Sequence, residues 1–383
     1  MSVIELREVS DRKTREDFLR FPYRAFRKYP SFVGAPDIFV KDALVKEKNP
    51  YFKDGEMVLL VAYRDGKPAG RVLFGYSGSF IERLKKREGV FSLFDFVEDY
   101  NVFCAIADRM REYFKKWDIS LVRGPLPPDG EDNFRGVLTK GFEYSPYFLT
   151  SWNPPYYLDF YRRYGFESYN TLFALRLEQE RVFSERLKAL ADKTRKRYGI
   201  SIRPVNLRDK GREVKIIKRI VDETFTEELV EDWEDFLPPD EEGIRFLIRS
   251  LGFVADRDIV LLAFVRDEPA GFVVGLPDYN RLFVGLDGRT TPKLLFRLLF
   301  GKRKINRARI LIFGVSYKHR NKGVDLNLML KLAENALKRG YMEAEGSTIG
   351  EENYPMWRAV AHIGGKIYKE YQFFKIPVKF PVK

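Results

Sequence analysis

Beyond Gly323 the apolar positions Val324, Leu328, Leu332 and Ala336 recur at helical spacing, with Met329, Ala333 and Leu337 beside them. Lys331, Glu334, Lys338 and Arg339 take the other side, so the pattern predicts a helix buried along one face. Lys338 and Arg339 suit the negative end of its dipole and Gly340 can adopt a left-handed cap, which predicts where it stops. Just upstream, ARILIFGV (308–315) predicts a buried strand. Between the two lies a basic turn, SYKHRNKG (316–323). Strand, basic glycine turn and helix make a phosphate-cradling arrangement, because free amides and the positive helix end converge there and Gly323 admits an anion close to the backbone.

The same patterning recurs elsewhere in the chain. MVLLVAYRDGKPAGRVLF (57–74) parallels IVLLAFVRDEPAGFVVG (259–275), each a strand, a charged turn and a second strand opening on Ala-Gly. From Ala69 to Ala270 the offset is about two hundred residues. NPPYYLDFYRRYGF (153–166) parallels NYPMWRAVAHIGGK (353–366) at nearly that offset, matching Asn153 to Asn353 and Gly165 to Gly365. Each half closes with an aromatic strand, YNTLFALRL (169–177) or YKEYQFFKI (368–376). The first half carries its own amphipathic helix on Phe103, Ile106, Met110, Phe114 and Trp117, but FSLFDFVEDYN (91–101) before it has no basic glycine turn. These repeats divide the chain into a domain at 1–180, a charged helical connector at 181–199 that includes ERLKALADKTRKRYG (185–199), and a second domain at 200–383.

With 383 residues, 45% hydrophobic and 15% aromatic, the chain can bury two cores and is not disordered. The longest apolar run, IVLLAFV (259–265), is too short to span a bilayer, and the N-terminus is too charged for a signal peptide, so a cytoplasmic protein without membrane association is expected. A single cysteine (Cys104) and two histidines (His319 and His362) exclude disulfides and leave no metal site in expectation. Abundant charge with only Gln179 and Gln372 as glutamines is thermophile-like. The net charge of +13 fits a polyanionic ligand, whether nucleotide cofactor or tRNA, and equally a lysine-rich solvated surface.

The segment 315–328 resembles the loop of the GNAT acyltransferase superfamily, V-x-P-x-x-R-G-x-G-x-G/A, which holds the pyrophosphate of coenzyme A. Val315 stands at the strand end, Arg320 at the arginine, Lys322 and Gly323 in the turn, Val324 at the aliphatic position and Leu328 in the helix. Tyr317, Asn321 and Asp325 replace the proline, the first glycine and the final Gly or Ala, and a carboxylate at 325 would repel a pyrophosphate. FYRRYGF resembles the family's second motif, with Tyr161 at the tyrosine that protonates the leaving thiolate and Asn153 upstream, whereas the second half keeps Asn353 without a tyrosine. The resemblance implies two tandem GNAT-like domains of α/β class on mixed α+β sheets, the first degenerate. It also implies transfer of an acyl group, acetyl by default, from acyl-CoA to a primary amine on a small molecule or peptide. Two further readings follow from it: a Fem-like transferase using aminoacyl-tRNA, and a CoA- or nucleotide-binding pseudo-acyltransferase. Oligomeric state is not readable from the sequence.

On this resemblance the backbone of Val315 and Ser316 would polarise the thioester carbonyl, and Arg320 and Lys322 would grip the pyrophosphate. Asn321, Gly323, Val324, Asp325 and Asn353 complete the expected cofactor contacts. Asp325 also has a structural explanation as an acid in a first helical turn. Glu345 on the following strand and Glu352 in the next loop, beside Glu351, are candidate bases, with His319 as an alternative and Tyr161 as the candidate acid. His362 is expected to pack. The acidic run FTEELVEDWEDFLPPDEEG (225–243) suits a cationic acceptor or a solvated helix end, and PLPPDGEDNF (125–134) is a loop over the site or an insertion.

Overall fold

The computed structural model describes residues 3–128, 133–178, 184–225, 238–252 and 254–379. The acidic run at 225–243 therefore falls largely outside the described residues, as does the centre of the 125–134 loop. The chain forms two compact units, one of residues 1–172, 283–295 and 369–383, the other of residues 173–282 and 296–368.

The first unit is built in the order β1 (Ile4–Glu8), α1 (Arg12–Ala25), β2 (Glu56–Arg64), β3 (Lys67–Tyr76), α2 (Gly78–Leu84), β4 (Glu88–Phe96), α3 (Tyr100–Lys116), β5 (Leu121–Gly124), β6 (Val137–Lys140) and α4 (Tyr157–Tyr164). After it β7 (Glu167–Glu178), α5 (Glu185–Tyr198), β8 (Ile200–Pro204), α6 (Lys210–Thr224), α7 (Glu241–Leu251), β9 (Val260–Val265), β10 (Glu268–Pro277) and α8 (Asn280–Phe283) follow. The chain ends through α9 (Pro292–Phe300), β11 (Arg307–Val315), α10 (Val324–Lys338), β12 (Glu343–Gly350), α11 (Tyr354–His362) and β13 (Lys366–Pro377).

In both units an antiparallel meander leads into one parallel pair joined by a buried helix. Strands β1 to β4 pair antiparallel in sequence and β4 then pairs parallel with β5; β8 to β11 repeat the meander and β11 pairs parallel with β12. The repeated hairpins share their turn: Asp65 and Gly66 in one, Arg266 and Asp267 in the other, take left-handed φ, as a two-residue hairpin turn compatible with strand twist demands. Helix α3 buries Phe103, Ile106, Met110 and Phe114, and α10 buries Val324, Leu328, Met329 and Leu332, so the periodicity read from sequence is the packing observed. Gly340 has φ +87°, the expected left-handed stop.

The last strands depart from the division into 1–180 and 200–383. From residue 369 onward β13 belongs to the first unit, where Leu121–Gly124 pairs antiparallel with Phe374–Pro377 and β6 pairs with Glu370–Gln372. From residue 173 onward β7 belongs to the second unit, where Arg176 binds Glu343 at 2.7 Å. Each unit is thus completed by the strand that follows the other copy's last helix. Phe374 and Ile376 sit fully buried in the first unit's aromatic core, each contributing roughly 2 kcal/mol of apolar burial. Helix α5, expected as a connector, packs into the second unit instead: Ala191 lies in a core with Leu175, Met329, Leu330 and Val360.

The repeat alignment also shifts locally. The left-handed glycine after α11 is Gly364, whereas Gly165 plays that part after α4. Asn153 accepts from the amide of Leu138 and donates to its carbonyl, tying β6 down, while Asn353 begins α11 without a side-chain cap bond. No helix among the described residues is long and apolar enough to cross a membrane.

Candidate functional site

In the second unit β11 delivers the chain into the basic turn. Ser316 is fully buried, with its amide donating to the Ala270 carbonyl at 2.9 Å and its hydroxyl to Glu223 at 2.6 Å. That amide is committed to the backbone and is not free to polarise a carbonyl. Lys318 also pairs with Glu223, at 2.9 Å. Burial opposes ionisation of Glu223, but donors from Ser316, Lys318 and Arg219 hold its carboxyl below the usual value. His319 is buried with Nδ1 3.2 Å from the Lys322 ammonium and Nε2 3.4 Å from Glu268.

Arg320 is exposed and, among the described residues, donates to the Thr224 carbonyl at 3.1 Å. Neither Arg320 nor Lys322 has a carboxylate partner among the described residues. Asn321 and Gly323 adopt left-handed φ of 62° and 79°, which turns the chain into α10, whose N-terminus has no side-chain cap. Val324 packs inward and Asp325 is exposed in the first turn. Two cations without carboxylate partners among the described residues therefore stand beside a helix start with no side-chain cap, a charge arrangement suited to an anion.

One side of this turn is closed. A β-carbon on Gly323 would lie 2.8 Å from Thr194 Oγ1 of α5, and Asn327 clamps the junction by donating to Thr194 Oγ1 at 2.9 Å and to the Gly323 carbonyl at 2.8 Å. Gly323 thus serves helix packing, which its sequence pattern did not reveal.

The parallel pairing of β11 with β12 covers Arg307–Ile310 against Glu343–Gly346. Glu345, fully buried at this point, accepts from Ser347 Oγ at 2.5 Å and from the Tyr368 hydroxyl, while Arg309 donates to both Ser347 oxygens. Glu352 is exposed and folds over Gly350, 2.1 Å from where a β-carbon there would sit. Among the described residues no group of three or more His, Cys, Asp or Glu side chains could hold a metal ion.

The first unit lacks the anion turn for a visible reason: Asp99 caps α3 by accepting from the Asn101 amide at 2.9 Å and pairs with Arg64. It has instead a cavity of about 110 Å³ lined by Phe26, Phe94, Trp152, Tyr157 and Tyr161, with the Arg71–Asp95 pair (2.8 Å) on its wall. Tyr161 is fully buried against Phe91, Phe94, Phe103 and Phe374, and its hydroxyl has no partner among the described residues. Burial pushes that phenol well above its ordinary value, so it stays protonated. Asp95 and Arg71 were not foreseen; the available signal was a lone carboxylate inside the apolar run FSLFDFV.

No profile of a known protein family matches the chain. Among solved structures, the tandem GNAT protein from the clavulanic acid biosynthesis pathway superposes with a TM-score of 0.60 over 99% of this chain and 100% of its own, at 11% identity. This chain has the tandem GNAT fold. A GCN5-related N-acetyltransferase from Sphaerobacter thermophilus gives a TM-score of 0.52 over 99% and 97% of the two chains, at 12% identity. Two relatives are similar in sequence across nearly their whole length. Protein YghO of Escherichia coli (strain K12) is 26% identical over 368 residues, 94% of this chain and 91% of the relative. The bacterial ceramide synthase of Caulobacter vibrioides (strain NA1000 / CB15N) is 26% identical over 390 residues, 98% of this chain and 97% of the relative. Within the repeat, the basic turn before α10 and Asp99 before α3 occupy corresponding places.

Proposed function

We propose that this protein is an N-acyltransferase that moves an acyl group from an acyl-CoA to a primary amine, using the turn before α10 to hold the cofactor. The observation that carries this reading is the pair of cations Arg320 and Lys322, without carboxylate partners among the described residues, beside a helix start with no side-chain cap. Those residues fit a diphosphate by charge, with Arg320 able to grip two oxygens and the first-turn amides of α10 adding donors. Acyl-CoA supplies an acyl carbon activated as a thioester. The amine nitrogen bonds to that carbon, the C–S bond breaks, and the nitrogen's proton must leave.

Glu345, bonded to the half-buried Tyr368 hydroxyl, is the carboxylate we assign to accept that proton. Glu352 is exposed to solvent, and Tyr161 packs the first unit. The Caulobacter relative's name supports the finer choice of substrate: a ceramide is the amide of a long-chain amine, which favours a fatty acyl group and a lipophilic amine over acetyl transfer. Calorimetric titration with acetyl-CoA and palmitoyl-CoA, followed by a free-thiol assay over polyamine, amino-sugar and long-chain amine acceptors, tests the proposal. Binding lost in Arg320→Ala with thiol release on an amine supports it; no heat with either thioester defeats it.

A second reading, a binding protein without turnover, draws on the committed Ser316 amide and on Thr194 closing one side of the turn. CoA binding without thiol release on any acceptor would favour it.

A further inference from the structure

Helix α9, Pro292–Phe300, is apolar on two opposite sides. Leu294 is fully buried and Leu298 half-buried, anchoring it inward, while Arg297 turns in to donate to the Leu282 carbonyl at 2.8 Å. The far side presents Leu295, Phe296, Leu299 and Phe300, which are 45%, 63%, 74% and 65% exposed. At helical spacing these four fall within one arc, with the Phe296 and Phe300 rings 4.8 Å apart. A surface helix normally turns charge outward; four large hydrophobes on the outer face need an occupant.

The flanks say which kind. Lys293 opens the helix beside the apolar arc, and Arg303 and Lys304 follow it, all exposed. Among the described residues none of these three has a carboxylate partner. Leu and Phe on one face with cations at its borders is the make-up of a helix that lies in a bilayer interface, its rings among the acyl chains and its cations at anionic headgroups. Nine residues are too few to span, so the helix would lie in the plane. A second copy meeting this face about a two-fold axis would set like charges from both chains against one another.

We infer that α9 docks the protein on anionic membrane surfaces. The expectation of no membrane association rested on the lack of a spanning run, which does not bear on a helix lying on the surface. The inference is independent of the catalytic reading: vesicle binding needs no acyl-CoA.

The test is co-sedimentation of the full chain with vesicles of equal parts phosphatidylglycerol and phosphatidylcholine, and with phosphatidylcholine alone. The protein is expected to pellet with the anionic vesicles, more weakly at high salt and on the neutral ones. The double variants Phe296→Ser with Leu299→Ser, and Arg303→Glu with Lys304→Glu, are each expected to lower partitioning about tenfold. Should the serine pair perturb folding by circular dichroism, the charge-reversed pair, lying outside the helix, decides alone. Wild-type protein that stays in solution with anionic vesicles overturns the inference. So do folded variants that pellet like wild type, or light scattering that shows a dimer split by the serine pair.

Discussion

Thr194 of α5 fills the space beside Gly323 that a side chain would need, its Oγ1 2.8 Å from the nearest β-carbon position. With φ at +79°, residue 323 also sits where an L side chain is strained. Gly323→Ala is therefore expected to destabilise the second unit by about 2–4 kcal/mol, from left-handed strain plus overpacking. Urea unfolding checks this; a loss under about 0.5 kcal/mol would show that α5 yields freely.

In the first unit Arg123 and Glu88 form a buried pair at 2.6 Å across the parallel strands. Glu88→Ala takes a paired carboxylate away from a buried guanidinium and is expected to cost about 3–5 kcal/mol. Replacing both, Glu88→Leu with Arg123→Met, is expected to cost less than Glu88→Ala alone, because the desolvated charges leave together. Equal costs in denaturant melts would contradict this account.

His319 gives the second unit a pH dependence. Burial first, then the Lys322 ammonium beside Nδ1, hold its imidazole below the ordinary value, with Glu268 and Glu223 pulling the other way. The folded protein thus keeps His319 neutral where the unfolded chain would bind a proton. Stability should fall as pH drops through about 6.5 and level off once the folded form protonates too. His319→Gln is expected to flatten that limb, read as the difference between the two proteins' urea midpoints at successive pH values. A wild-type slope of opposite sign, or one retained in the variant, would rule it out.

The Tyr161 hydroxyl is buried without a partner among the described residues. Tyr161→Phe removes an unsatisfied polar group and keeps the ring, so stability should stay level or rise by about 1 kcal/mol. A marked loss of stability would mean that the hydroxyl is bonded in solution, and a loss of turnover at unchanged stability would return it to the chemistry.

Local signals were legible where a single segment contains its own cause. The faces of α3 and α10, the stop at Gly340 and the paired hairpin turns follow from periodicity and backbone sterics within a few residues. The basic turn was visible for the same reason. By contrast, an alternating aromatic run such as 368–376 announces a strand but carries no record of its neighbour, so the exchange that sends Phe374 and Ile376 into the first unit's core was not readable.

By itself, then, the amino-acid order determined the elements, the repeat and the charge of the turn before α10. Only the tertiary structure decided what lies across from each: Thr194 against Gly323, Ala270 on the Ser316 amide, Ser347 and Tyr368 on Glu345, and open solvent against the outer face of α9. The reason is range. Propensity, turn sterics and amphipathic period act within one or two turns of chain, whereas which donors are free and which faces stay bare depend on contacts made far along the sequence.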